Sequence, residues 1–492
     1  MQHVLKLFAL IFLLNTPLQA SDDDIDDPNA PVLSLDLEGK DGIADIEIPP
    51  TVLTLFLCNS GLTEIPANVL AQTQLTLLNL SDNKLKSLPP SIGNLTDLSM
   101  LCVSCNKLQA LPREVGLFRA LSRLFLTCNR IRELPDELFE LPYLQILHLN
   151  GNKLNHLPDK IGQLTALREL ELRDNKLTGL PEAITTLTKL TQLSIDANRM
   201  VSLPKGLFKL ASITEFQPSH NQLMRLPKDF GKWQSLERLD LSRNLFKSIP
   251  PQVVRLKSLK DLWLNQCRKV RVLPKECGGL TSLVLLDLSY TKLKEIPMSW
   301  GRLVHLIRLD LSSCRFEEFP SAVLQMAQLM ALDLGGNELR TLPESITALQ
   351  KLRYLSLEGN KLEGLPAIWD VMKVEELQIY NNPFTQVPSN LTAGRKRAGQ
   401  RAGIEQELAA KPLMKQLRLD YSTLASTLEA LKAGGVPERL RFETYSKDRD
   451  QLERYKADKW LEGKGDLFRG DDIVIEQGHI EIIEYLLKTA DK

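Results

Sequence analysis

One spacing constrains this chain more than any other feature. From Ser60 a turn residue recurs every 23 positions, at Asn83, Asn106, Asn129, Asn152, Asn175, Asn198, Asn221 and Asn244. Cys267, Thr291, Cys314, Asn337, Asn360 and Asn382 continue the series, with one step of 24 residues before Thr291 and one of 22 before Asn382. The fifteen units share the pattern L-x-L-x-x-N-x-L-x-x-L-P, followed by a half such as "DKIGQLTALREL" (Asp159 to Leu170). A unit of this length is a single supersecondary piece that cannot bury its own apolar face. The expected fold is therefore a stack in which each coil covers the next.

Within "LLNLSDN" (Leu77 to Asn83), Leu78 and Leu80 point to one side and Leu77, Asn79 and Ser81 to the other, the alternation of a short strand. Strands from successive units would pair in parallel and pile the inward leucines into one core. An Asn after each strand brings a donor and an acceptor to a turn whose backbone groups would otherwise be unpaired. This predicts a structural ladder from Asn83 to Asn382, with Ser60, Cys267, Thr291 and Cys314 as weaker substitutes. In the second half of the unit, Ile161, Leu164, Leu167 and Leu170 have helix-like spacing and are expected to form an outer wall. From about residue 50 to 390 these motifs resemble the leucine-rich-repeat family in its 23-residue, Leu-Pro form. The resemblance implies an α/β solenoid with a curved parallel β-sheet on its concave face and short helices on its convex face. It also implies that the concave face is presented to another protein.

"FQPSHNQL" (Phe216 to Leu223) interrupts the pattern, since Pro218 takes the second inward leucine position of its unit. Its ring can fill core space, but it has no N–H to give to the next strand. One missing ladder bond and a local softening between the seventh and ninth units are expected.

The remainder divides into short ends. Residues 1–20 carry Lys6, an apolar run from Leu7 to Leu14 and a polar stretch closing on Ala20, which resembles a signal peptide cut before Ser21. Residues 21–48 read as an acidic linker and a degenerate N-terminal cap, residues 49–390 as the solenoid, and residues 391–492 as a small helical module. In that module "PLMKQLRLDYSTLASTLEALKAGG" (Pro412 to Gly435) is expected to be an amphipathic helix, with others near Asp448 to Glu462 and Glu481 to Lys488. "EQGHIEIIEYLLKTAD" (Glu476 to Asp491) resembles half an ankyrin repeat.

Charge and cysteines narrow the function. The chain has 61 Lys plus Arg and 61 Asp plus Glu, so no global field argues for nucleic acid or an anionic membrane. Seven cysteines, all between Cys58 and Cys314, cannot form a fully paired framework. Cys105 and Cys128, one period apart, are near enough to consider bridging, although parallel strands aim both side chains the same way. No cysteine follows Cys314, which removes thioester chemistry from the tail, and no kinase, nucleophile-elbow or metalloprotease signature occurs. In the glycine-bearing "AGRKRAGQRAG", Gln400 and Arg401 stand where a phosphate loop needs Lys and Ser or Thr.

In a repeat of this family the outward strand residues line the concave face. The early units would present Phe56, Leu77, Met100, Cys102, Phe125, Ile146 and His148, an unusually apolar set. The later ones would present Asp240, Asp261, Trp263, Asp287, Asp310 and Asp333, with Arg238 and Arg308 beside them. Carboxylates stacked ~5 Å apart on adjacent strands repel unless a cation or partner neutralises them. The alternative is that they bond to Ser242, Ser289 and Ser312 as part of the turn. Trp263, Tyr354 and Tyr380 are further anchor candidates. Together these features predict a non-enzymatic, exported protein that binds a protein or peptide on its concave face. Neither cofactor, metal, nucleic acid, small-molecule substrate nor membrane span is expected in the mature chain. Other readings are a cytoplasmic scaffold binding a small GTPase, as some members of this form do, and an exported effector with an unrecognised activity in its tail.

Overall fold

The computed structural model describes residues 34–40, 42–366 and 374–383, and the backbone of four tail segments, 416–420, 439–443, 468–469 and 472–476. Its framework is a succession of three-residue strands, one per coil. The first sheet holds β1 (Ser34–Asp36), β2 (Thr54–Phe56), β3 (Leu77–Asn79), β4 (Met100–Cys102), β5 (Arg123–Phe125), β6 (Ile146–His148), β7 (Glu169–Glu171) and β8 (Gln192–Ser194), in chain order and parallel. The second begins at β9 (Glu215–Phe216) and continues through β10 (Arg238–Asp240), β11 (Asp261–Trp263), β12 (Leu285–Asp287), β13 (Arg308–Asp310), β14 (Ala331–Asp333), β15 (Tyr354–Ser356) and β16 (Glu376–Gln378). Register follows the repeat, so that Leu124 pairs with Leu147 and Leu147 with Leu170. The inward residues form one uninterrupted core from Leu37 to Ile379.

The ladder closes each coil. The residue before each ladder position adopts a left-handed conformation, as at Asp82 (φ 56°), Cys128 (φ 57°) and Ala197 (φ 53°), which turns the next side chain inward. Asn106 Nδ2 then donates to Leu80 O (2.9 Å), Val103 O (3.2 Å) and Ser104 O (3.2 Å), while its Oδ1 accepts from Leu85 N (3.0 Å). The side chain therefore ties its own coil to the preceding one. Cys267 keeps a thiol contact to Leu241 O (3.3 Å), and Cys314 one to Leu288 O (3.4 Å) with a second to Thr291 Oγ1 (3.2 Å), fewer than an Asn makes, as the weaker substitutes should.

The outer wall differs in kind from an α-helical one. Proline opens five-residue 3-10 helices such as Arg113–Leu117, Asp136–Glu140 and Asp159–Gln163, and the only regular α-turn among the described residues is Ala67–Leu70. An α-helix with its side chains is about 10 Å across, twice the strand spacing of about 4.8 Å; the slimmer, more extended 3-10 turn packs closer to that spacing. The approach is tight at Gly116, where a Cβ would lie 2.7 Å from Glu137 Cβ and 3.0 Å from its carbonyl oxygen.

Pro218 marks the interruption. Elsewhere the equivalent residue donates to the next strand, as Leu172 N does to Ser194 O (2.8 Å) and Leu241 N to Trp263 O (2.8 Å). Without that donor β9 is two residues long and pairs with β10 only at Glu215–Arg238 and Phe216–Leu239. On its other side, pairing with β8 is reduced to an isolated bridge, Ser194–Gln217, which divides the two sheets. Pro218 itself is buried. Phe216, Phe230 and Trp233 fill the core beside it, with ring centroids 5.1 Å apart for Phe216–Trp233 and 5.6 Å for Phe230–Trp233. Hydrogen exchange should find the amides of Glu215 and Phe216 less protected than those of Arg238 and Leu239, by about tenfold for ~1 kcal/mol of lost bonding. Equal protection would mean that the division softens nothing.

The tail corrects the sequence reading. Gln416–Asp420, inside the segment expected to be a helix, is strand β17, parallel to β16. Arg439–Glu443 forms β18, parallel to β17, and Asp472–Glu476 forms β20, antiparallel to β18 and flanked by β19 (Phe468–Arg469). "QLRLD" and "RLRFE" alternate apolar and other residues with a period of two, which outranks the helical spacing of their surroundings, and "DIVIE" is a short β-branched run between two acids. The described tail is thus an extension of the sheet rather than a helical module. The helices expected near Asp448 to Glu462 and Glu481 to Lys488, the ankyrin-like segment beyond Glu476 and the signal peptide lie outside the described residues.

All seven cysteines are free, Cys105 and Cys128 included. Burial pushes the thiols of Cys58, Cys105, Cys267 and Cys277 up to about 12, so they act as small apolar groups rather than nucleophiles. Among the described residues, no helix is long and apolar enough to cross a membrane and no three His, Cys, Asp or Glu side chains gather in a metal-holding group.

Candidate functional site

The first and third residues of each strand project onto the concave face, and strand pairing sets which side chains become neighbours. In the early coils Cys102 stands beside Phe125, and Phe125 beside His148. Phe125 meets the imidazole edge-on at 4.9 Å. His148 lies between two carboxylates, Nε2 3.5 Å from Glu169 Oε2 and Nδ1 3.6 Å from Glu171 Oε2. The parallel row runs Thr54, Leu77, Met100, Arg123, Ile146, so a guanidinium interrupts the apolar series that the sequence suggested. Phe56, Met100 and Phe125 are half-buried by their neighbours, and Ile146 is buried. The surface is aromatic and apolar, but edged by charge at Arg123, Glu169 and Glu171.

The later coils bring Asp287, Asp310 and Asp333 into one row, since Asp287 pairs with Asp310 and Asp310 with Asp333. Trp263 begins this row and Ser356 ends it. Asp240 is set apart from it by Trp263, and Arg238 is engaged elsewhere, with Glu215 (3.4 Å) and Asp261 (3.2 Å). Each aspartate of the row closes its strand by accepting a backbone N–H: Ser289 N to Asp287 (2.9 Å), Ser312 N to Asp310 (2.9 Å) and Gly335 N to Asp333 (2.8 Å). That bond satisfies one oxygen and does not cancel the charge. Burial, partly offset by these bonds and reinforced by the Asp310 charge, pushes Asp287 and Asp333 up to about 6.

The row lines a hollow of about 240 Å³ whose walls include Trp263, Leu285, Arg308, Ala331 and Tyr354. Of the predicted anchors, Trp263 and Tyr354 are brought to this hollow. Tyr380 is not, being beyond β16 at a turn where its carbonyl accepts from Gly359 N (2.9 Å). Leu285, Ala331 and Arg308 were legible as outward strand positions, yet only the register shows that they share one cavity with the aspartates.

Leucine-rich-repeat models match residues 119–177, 188–246 and 234–293, a second such repeat model matches 74–95, and a leucine-rich repeat region model matches 275–379. A solved leucine-rich-repeat protein of Leptospira interrogans is 33% identical over 72% of this chain and 91% of its own, with a TM-score of 0.65. The chain belongs to the leucine-rich-repeat family. This leucine-rich-repeat chain is also similar to a TDR receptor, at 27% identity over 70% of this chain and 66% of that one, with a TM-score of 0.55. With the solved Toll–Spatzle complex of Drosophila it shares the fold, at 22% identity over 72% of this chain and 51% of that one and a TM-score of 0.60. No curated protein matches the sequence. Leucine-rich-repeat proteins are generally non-enzymatic scaffolds, and their fold is typical of protein–protein interaction.

Proposed function

We propose that this chain is a non-enzymatic, exported protein that binds a polypeptide partner on its concave sheet. The observation that carries the reading is the set of half-buried aromatic and apolar side chains that face outward from the short strands, Phe56, Met100 and Phe125 from β2, β4 and β5, and Trp263 and Tyr354 from β11 and β15. Such side chains cover a large area with little conformational entropy to lose, and a parallel ladder holds their spacing before any partner arrives. A neighbour in fold, Toll, is solved in complex with Spatzle, which supports a polypeptide partner here. Lys6, the apolar run from Leu7 to Leu14 and Ala20 support export. A mature protein beginning at Ser21 is the expected result, and a chain retaining Met1 would favour the cytoplasmic scaffold instead.

The binding surface is tested by two double variants, Phe56→Ala with Phe125→Ala and Asp287→Ala with Asp310→Ala. At least one should weaken capture of the partner by about tenfold or more, the usual effect of truncating central interface anchors. If every partner held by the native chain is held equally by both variants, the concave face is not the binding surface.

A further inference from the structure

The acidic hollow says more about the partner than the fold does. Among the described residues no ion pair reaches Asp287, Asp310 or Asp333, whereas other half-buried acids nearby are paired, Glu237 with Lys260 (2.8 Å) and Asp261 with Arg238 (3.2 Å). The row ends at Ser356, which is 1% exposed. Its hydroxyl lies beside the Asp333 carboxylate, which it favours in the charged form, yet it is buried without a hydrogen-bond partner of normal geometry. A Cβ placed on Gly335 would lie 2.7 Å from Glu358 Cγ, 3.0 Å from Ser356 Oγ and 3.2 Å from Asp333 Oδ1, so both oxygens lie close against the Gly335 backbone. A second, independent feature lies on the same coils. Val284, Ile307 and Met330 immediately precede β12, β13 and β14, and occupy successive rungs through Ile307 N to Val284 O (2.8 Å) and Met330 N to Ile307 O (2.8 Å). Ile307 is 40% exposed and Met330 36%, which makes an apolar margin beside the hollow.

Resting on the reading of the concave face as a polypeptide-binding surface, we infer that the hollow between β11 and β15 takes an extended segment bearing arginines that alternate with apolar residues. The charge complement follows from three half-buried carboxylates that no ion pair reaches; Arg308, in the wall of the same hollow, is exposed and pairs with none of them. Three strands span about 10 Å at a spacing of about 4.8 Å, and side chains two residues apart on an extended segment are about 7 Å apart, so two cations fit over the row. Arginine suits it better than lysine. Its planar fork can take the carboxylate oxygen left outside the turn bond, and its face can stack on Trp263 or Tyr354. The alternating apolar residues meet Leu285, Ala331 and the Ile307–Met330 margin. An acidic segment would add repulsion to a row already destabilised by its own charge.

The test uses the full chain and three labelled probe peptides, acetyl-Phe-Arg-Leu-Arg-Phe-amide and its Lys and Glu counterparts, followed by fluorescence anisotropy at pH 7.5. The Arg peptide should bind, the Lys peptide about tenfold more weakly and the Glu peptide not measurably. Asp310→Asn, which keeps shape, should weaken the Arg peptide by about tenfold or more, and Tyr143→Ala, at an exposed position away from the concave sheet, should not change it. Equal binding of the Arg and Glu peptides to the native chain, a comparison that needs no variant, would overturn the inference, as would an absence of binding or indifference to Asp310→Asn. If the Arg peptide fails while partner capture remains sensitive to Phe56→Ala with Phe125→Ala, the inference falls and the broader reading stands. If capture is insensitive to both double variants as well, both fall.

Discussion

Replacing Asn129 by alanine should cost about 3–5 kcal/mol of stability, which is large for a single truncation outside the leucine core. The side chain serves four backbone groups at once. Nδ2 donates to Val103 O (2.9 Å), Leu126 O (3.1 Å) and Thr127 O (3.4 Å), and Oδ1 accepts from Leu108 N (3.0 Å). Alanine leaves these groups in a site where Asn129 itself is 6% exposed, and each buried, unsatisfied group costs about 1–3 kcal/mol, reduced by local relaxation. Because a solenoid is stabilised by nearest-neighbour contacts, the loss should concentrate in the coils on either side. Asn129→Thr should cost less, since Thr291 occupies an equivalent position and remains buried. Asn150, half-buried at the outward position of the same region, is the control, and its alanine variant should cost under about 1 kcal/mol. Urea unfolding reads all three, and equal midpoints for the Asn129→Ala and native chains would refute the ladder as a stabilising element.

The second large effect depends on pH. Asp287 and Asp333 are raised from 3.8 to about 6 in the folded chain, chiefly by burial. The folded state therefore holds these protons more tightly than the unfolded state. Their contribution is fully present below about pH 4 and is lost as pH rises through about 6, with roughly 2–3 kcal/mol at stake per group. The two groups also repel through Asp310, so their effects will not simply add. The variant Asp287→Asn with Asp333→Asn should be more stable than the native chain at pH 7.5 and nearly equal to it at pH 4. The difference between the two chains is the quantity to follow, because every other carboxylate contributes alike to both. A native chain that gains nothing relative to the variant on acidification would mean that the row is solvated. The same variant should bind the arginine peptide poorly, since the charge that destabilises the fold is the charge the partner would neutralise.

The repeat was readable because each of its requirements is local. A leucine two positions after another, an Asn at the turn and a proline opening the outer half need only a ruler along the chain. Pro218 was equally legible, as a missing N–H has the same consequence in any parallel ladder. Other features depend on relations between coils. Arg123 enters the apolar row between Met100 and Ile146, and Trp263 separates Asp240 from Asp287, only when strands are laid side by side. Ile307 and Met330 precede the strands, so a reading confined to outward strand positions passes over them. In the tail, five-residue alternations such as "QLRLD" lay within longer helix-like spacing, and the shorter period prevailed because an existing sheet edge at β16 offers each new strand its backbone partners.

The most direct measurement is photo-cross-linking from single positions of the full chain, with a photoreactive phenylalanine placed at Trp263 or Phe125 on the concave sheet and at Tyr143 or Val272 away from it. Tyr143 is 61% exposed and Val272 66%, so accessibility alone favours the latter pair. The concave positions should cross-link to a polypeptide and the more exposed pair should not. Cross-links confined to Tyr143 or Val272 would contradict the assignment of the concave sheet as the surface through which this protein acts.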